Sequence, residues 1–102
     1  MKERAAETHA RIVREIVKEK AVTLGRAGER LQAALAEVAE VARAWRAAGD
    51  ATERERLTEA YDRAWRAADT ARQTLLIQRE AVGLRQHRDV DQQFPRPPRR
   101  LS

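Results

Sequence analysis

Apolar and small residues recur along the first half of the chain in alternating steps of four and three: Val17, Ala21, Leu24, Gly28, Leu31, Leu35, Val38, Ala42 and Trp45. This spacing places side chains on one stripe of an α-helix. Upstream, Ile12, Val13, Ile16 and Val17 fall on the same side, while Arg11, Arg14, Glu15, Lys18 and Glu19 take the other. The stripe keeps its phase through Gly25 and Gly28, so a single helix over about residues 4–48 buries one face throughout. Such a helix is a rod of roughly 65 Å. The alternative is a break at 25–28, with Gly25 as a left-handed cap, which makes the monomer a three-helix bundle. No proline lies nearby and no good N-cap residue follows Gly28, which argues against the break. Within a continuous helix, Ala21, Gly25 and Gly28 form a flat spot where another backbone can approach closely.

Gly49 and Asp50 interrupt the pattern, and Thr52 with Glu55 reads as a capping box opening a second helix. Leu57, Tyr61, Ala64, Ala68, Ala71, Leu75 and Val82 mark its buried face, with the polar Gln78 falling on the same stripe. The helix is expected over 52–82, ended by a Gly83 cap with an apolar contact from Leu84. Leu84, His87, Val90 or Asp91, and Phe94 then fit a short helix over about 85–93. Pro95, Pro97 and Pro98 stop regular structure, so 1–94 reads as one helical domain and 95–102 as a flexible, extended Pro/Arg-rich tail.

A hairpin of these two helices has unequal arms. The second reaches back only to about Leu24, leaving Ile12, Val13, Ile16 and Val17 without cover from their own chain. Branched aliphatics left bare in this way call for a partner. The expected architecture is therefore an all-α long helical hairpin that dimerises into an antiparallel four-helix bundle. The candidate interface residues are Ile12, Val13, Ile16, Val17, Ala21, Gly25 and Gly28. Trp65 joins them because it lies off the main stripe of its helix. It belongs to the second copy of a hexapeptide, RAWRAA, that occurs at 43–48 and 63–68. The bland reading of both indoles is core packing beside alanines.

Composition narrows the function. At 102 residues the chain is one small domain. Much of its 42% hydrophobic content is alanine, which favours helix but buries little area. Cysteine is absent, so disulfides and thiolate chemistry are excluded, and a cytoplasmic location is expected. The start has no apolar leader pattern and no run is long enough to span a bilayer, so no membrane association is expected. Serine occurs only at Ser102, and His9 and His87 lie in different segments, which leaves no hydrolytic triad. His87, Asp89 and Asp91 lack the spacing of a metal site, and LGRAGE lacks the lysine of a phosphate loop. Neither an enzyme, a metal nor a cofactor is expected.

The net charge of +5 is concentrated at one end. Removing Arg96, Arg99 and Arg100 from the 21 basic side chains leaves 18 against 16 acidic, a net +2. These three arginines are candidate contacts to nucleic acid or an acidic partner, although three charges provide little affinity and the body has no uniformly basic face. The motif Pro95-Arg96-Pro97-Pro98-Arg99-Arg100 also has the spacing of a proline-rich ligand with a basic anchor, with no receptor in view.

At EKAVTLGRAGERL (19–31) and LLIQREAVGLRQHRDV (75–90) the chain resembles a family of short bacterial α-helical proteins of unassigned function, over about residues 12–95. That resemblance implies a stand-alone helical domain whose two motif regions pack together, and carries over no catalytic residue. The RAWRAA repeat and the arginine-rich ending depart from it. The functional expectation is a non-enzymatic interaction protein (adaptor, inhibitor or assembly subunit), acting through helical surfaces as a homodimer or with another protein. The alternatives are weak, sequence-independent nucleic-acid binding through arginines, and a purely structural homo-oligomer.

Overall fold

One helix, α1, runs unbroken from Lys2 to Ala47, through both glycines. In the computed structural model, which describes residues 2–102, it is followed by α2 (Ala51–Ala81) and a short α3 (Arg88–Gln93). The three-helix alternative with a turn at 25–28 is thereby set aside. Apolar phase on both sides of the glycines outweighs the helix-breaking preference of two residues, each worth about 1 kcal/mol. The molecule is a rod of 76 × 21 × 15 Å.

The turn between the long helices is set by Asp50, not Thr52. Asp50 adopts an extended backbone, and its carboxylate Oδ1 accepts the Glu53 N–H at 2.7 Å. An aspartate at this position satisfies a free amide and places negative charge at the positive end of the helix, so α2 starts before the capping box read from Thr52 and Glu55. Glu53 pairs with Arg56 at 2.5 Å, and that hydrogen bond lowers the Glu53 pKa.

The far end of α2 closes as its sequence suggested. Gly83 (φ 91°) donates to the Glu80 carbonyl and Leu84 donates to the Arg79 carbonyl, the paired bonds of a Schellman cap. Only glycine takes that φ without strain. Leu84, expected to make an apolar contact at the cap, is 45% exposed and belongs to neither core cluster, and Val82 is half-buried there. His87 occupies the N-cap position of α3 without capping it and bonds through Nε2 to Glu80 at 2.9 Å.

Two clusters hold the hairpin. Near the turn, Val38, Val41 and Ala42 of α1 meet Leu57, Tyr61 and Ala68 of α2, flanked by Trp45 and Trp65. Further along, Ala27 and Leu31 meet Leu75 and Val90 of α3, with Leu24 and Phe94 at the margin. Arg72 is buried and pairs with Asp91, which fastens α3 to α2. From Leu24 to Trp45 the seam read from sequence is thus the contact face, widened by Ala27, Ala34 and Val41, while Val17 and Ala21 on the same stripe are exposed.

The tail departs from expectation. Residues 95–102 have no regular structure, but they do not project as a mobile arm. They run back along the hairpin beside α2, and Leu101 packs against the cluster near the turn. This proline-rich segment, without regular structure, lies along the groove between α1 and α2, where a bundle would have its third helix. Its proline content limits the conformational entropy lost on docking.

Candidate interaction surfaces

The clusters and the tail cover α1 only from about Leu24 onward. Before it, Ile12 is 50% exposed, Val13 44%, Ile16 45% and Val17 60%. Every described residue from Lys2 to Thr23 is exposed, including Ala21. The α2 helix ends at Ala81 and α3 turns back towards the turn, so no later segment of this chain reaches the arm. Its helical pattern, apolar on one face and charged on the other, continues without change from the buried stretch into the bare one.

Gly28 is half-buried and Gly25 exposed at the base of the arm, and a Cβ built on either would meet nothing within 4 Å. No helix crosses the flat spot within the chain. The glycines instead face an open notch bordered by Leu24, Leu75, Val90 and Phe94.

The second surface lies at the opposite end and includes Trp65. That indole is half-buried, covered by the tail of its own chain, and not a bare interface residue. Its Nε1–H donates to the Pro97 carbonyl at 3.2 Å, and the neighbouring Tyr61 hydroxyl donates to the Pro98 carbonyl. Arg96 pairs with Asp69 at 2.6 Å and Arg99 with Asp62 at 2.7 Å, while the Arg99 guanidinium lies 4.5 Å above the Trp65 ring. Arg99, with Arg66 at 3.0 Å, holds the Asp62 pKa below the usual aspartate value. Burial raises the Tyr61 pKa, against the opposing influence of Arg46 and Arg99.

Two of the three tail arginines are therefore neutralised by acids of α2. Arg100 lies at the rim, near Arg43 and Arg46 of α1. The other RAWRAA copy shows related chemistry. Trp45 donates to the Thr58 hydroxyl at 3.1 Å and carries Arg54 above its ring at 5.3 Å. Each tryptophan thus combines core contact, one hydrogen bond and one stacked guanidinium.

A third polar region joins α2 to α3. There Arg79 donates to the Gln86 carbonyl at 3.0 Å. Arg72 Nη1, Gln78 Oε1, Arg79 Nε and His87 Nδ1 are buried without a protein partner. Gln78, the polar residue on the α2 stripe, belongs to this set. Among the described residues no three His, Asp or Glu side chains converge as a metal site, and no helix is long and apolar enough to cross a membrane.

The fold and surfaces define an all-α helical hairpin with a projecting arm and a strapped flank. No protein family, characterised protein or solved structure compared with the chain matches it.

Proposed function

We propose that the protein is a non-enzymatic interaction module, an adaptor, inhibitor or assembly subunit, whose projecting arm pairs with the arm of a second copy. The observation that carries this reading is the run Ile12, Val13, Ile16 and Val17, each 44–60% exposed on a helix that continues straight out of the hairpin core. The arm is self-complementary about a two-fold axis between Arg14 and Glu15. In that antiparallel register Ile12 meets Val17 and Val13 meets Ile16, while Arg14 and Glu15 stay on the outer, charged face. In this register the two α1 helices overlap over about residues 2–27, with one α2 beyond each end of the overlap and the notch at Gly25 and Gly28 beside the start of the partner's arm, so the dimer is an elongated assembly of two hairpins and not four helices side by side.

The energetics are modest. Covering the exposed half of each of these aliphatics is worth about 1 kcal/mol, so two arms supply about 8 kcal/mol before the cost of association. After an association cost of at least about 4 kcal/mol this leaves a weak, reversible dimer with a dissociation constant of about millimolar order. Sedimentation equilibrium on the intact chain tests it. A monomer–dimer equilibrium abolished by Ile16→Glu supports the reading, and a monomer at every concentration removes it.

A further inference from the structure

Four consecutive tail residues, Arg96 to Arg99, each make one polar contact with α2. Asp69 and Asp62 are seven residues apart on one helix face, about 10.5 Å, and Arg96 and Arg99 are three residues apart on the proline-rich tail, a separation that a polyproline segment spans in about 9 Å. Between these two ion pairs, Trp65 and Tyr61 donate to the consecutive carbonyls of Pro97 and Pro98. Aromatic donors aimed at proline carbonyls, with an acid for each flanking arginine, form a recognition surface for extended proline-rich peptide. Nothing in these contacts depends on the ligand being part of the same chain.

We propose that the flank bearing Tyr61, Asp62, Trp65 and Asp69 is a docking site for Arg-Pro-Pro-Arg segments of another polypeptide, and that residues 95–100 are its resident, exchangeable occupant. The chemistry commits to that partner. Its prolines leave carbonyls without intrachain bonds, and arginine both pairs with carboxylate and stacks on indole, which lysine does less well. The tether holds the resident segment at an effective concentration of about millimolar, so the site is closed to dilute competitors until the tail is weakened or the competitor is abundant. This inference is independent of the arm, which lies at the other end of the rod.

The test uses the full chain labelled with ¹⁵N, the synthetic peptide FPRPPRRLS and the Trp65 indole N–H resonance. In wild-type protein the resonance moves only as the peptide approaches about 1 mM. In R96A/R99A the same movement saturates at peptide concentrations lower by about tenfold or more. Adding D62N/D69N to that variant reverses the gain by about tenfold. A peptide with both flanking arginines changed to alanine leaves the resonance in place. Circular dichroism checks the helix content of each variant, and the wild-type titration needs no variant at all. The proposal is overturned if millimolar peptide moves the Trp65 resonance in neither chain, or if the response of R96A/R99A is indifferent to D62N/D69N.

Discussion

Replacing Ile16 by glutamate separates a role in partner binding from a role in the fold. In the single chain Ile16 is 45% exposed and belongs to neither core cluster, so its loss removes no packing from the hairpin. Glutamate is a slightly better helix former than isoleucine and stands four residues before Lys20, a favourable pairing of a few tenths of a kcal/mol. The monomer is therefore expected to be as stable as wild type or marginally more so. In the two-fold assembly the substitution acts twice. It forfeits about 1 kcal/mol of apolar cover per chain and places two carboxylates in the seam, at a cost of at least about 1 kcal/mol each. Dimerisation should weaken by about 4 kcal/mol, close to a thousandfold.

Amide hydrogen exchange followed by mass spectrometry reads this directly. A lone helical extension of roughly twenty residues has no tertiary contact to slow its fraying. In wild-type protein, exchange over residues 2–20 should slow as concentration rises, because the arm finds its partner. In Ile16→Glu it should be fast at every concentration, while residues 27–42 stay protected in both proteins. Identical exchange of the arm in the two proteins across the range would refute the reasoning.

Other substitutions probe the remaining links. Leu31 is 2% exposed between the two long helices, so Leu31→Ala should lower stability by about 2–5 kcal/mol in urea unfolding, a large share for so thin a core. Asp50→Ala should cost about 1 kcal/mol by the same measurement and Thr52→Ala close to nothing, since Asp50 alone bonds the free Glu53 amide. The tail should respond to acid. Arg99 holds the Asp62 pKa below its unfolded value, so the contribution of this pair is complete above the ordinary aspartate range and lost as pH falls through the lowered value. Trp65 fluorescence, read in a Trp45→Phe background, should report that release, and Asp62→Asn should diminish its pH dependence.

Much of the hairpin was legible because its periodic signal is long. Nine positions from Val17 to Trp45 keep one phase, and a turn at Gly25 would have wasted that agreement between levels. The bare arm followed from helix lengths alone. The cap was misplaced because two polar residues, Asp50 and Thr52, compete at the turn, and the choice depends on the extended backbone at Asp50. The docked tail left almost no pattern to read. A proline-rich strand has no amphipathic period, and its partners on α2 are isolated polar atoms on a helix chosen for other reasons. The signals that were present are Asp62 and Asp69 two turns apart, with Trp65 between them and Tyr61 on the neighbouring alanine-rich stripe. Trp65 lay off the main stripe because it serves the tail as well as the core.

In the proposed dimer the apolar face of the arm is sheltered by a second copy of the chain. Multi-angle light scattering on the intact protein measures this without any substitution. At about 1 mM and above the mass should rise towards twice the 11.6 kDa of one chain, and fall back on dilution. A constant 11.6 kDa across that range would contradict the account.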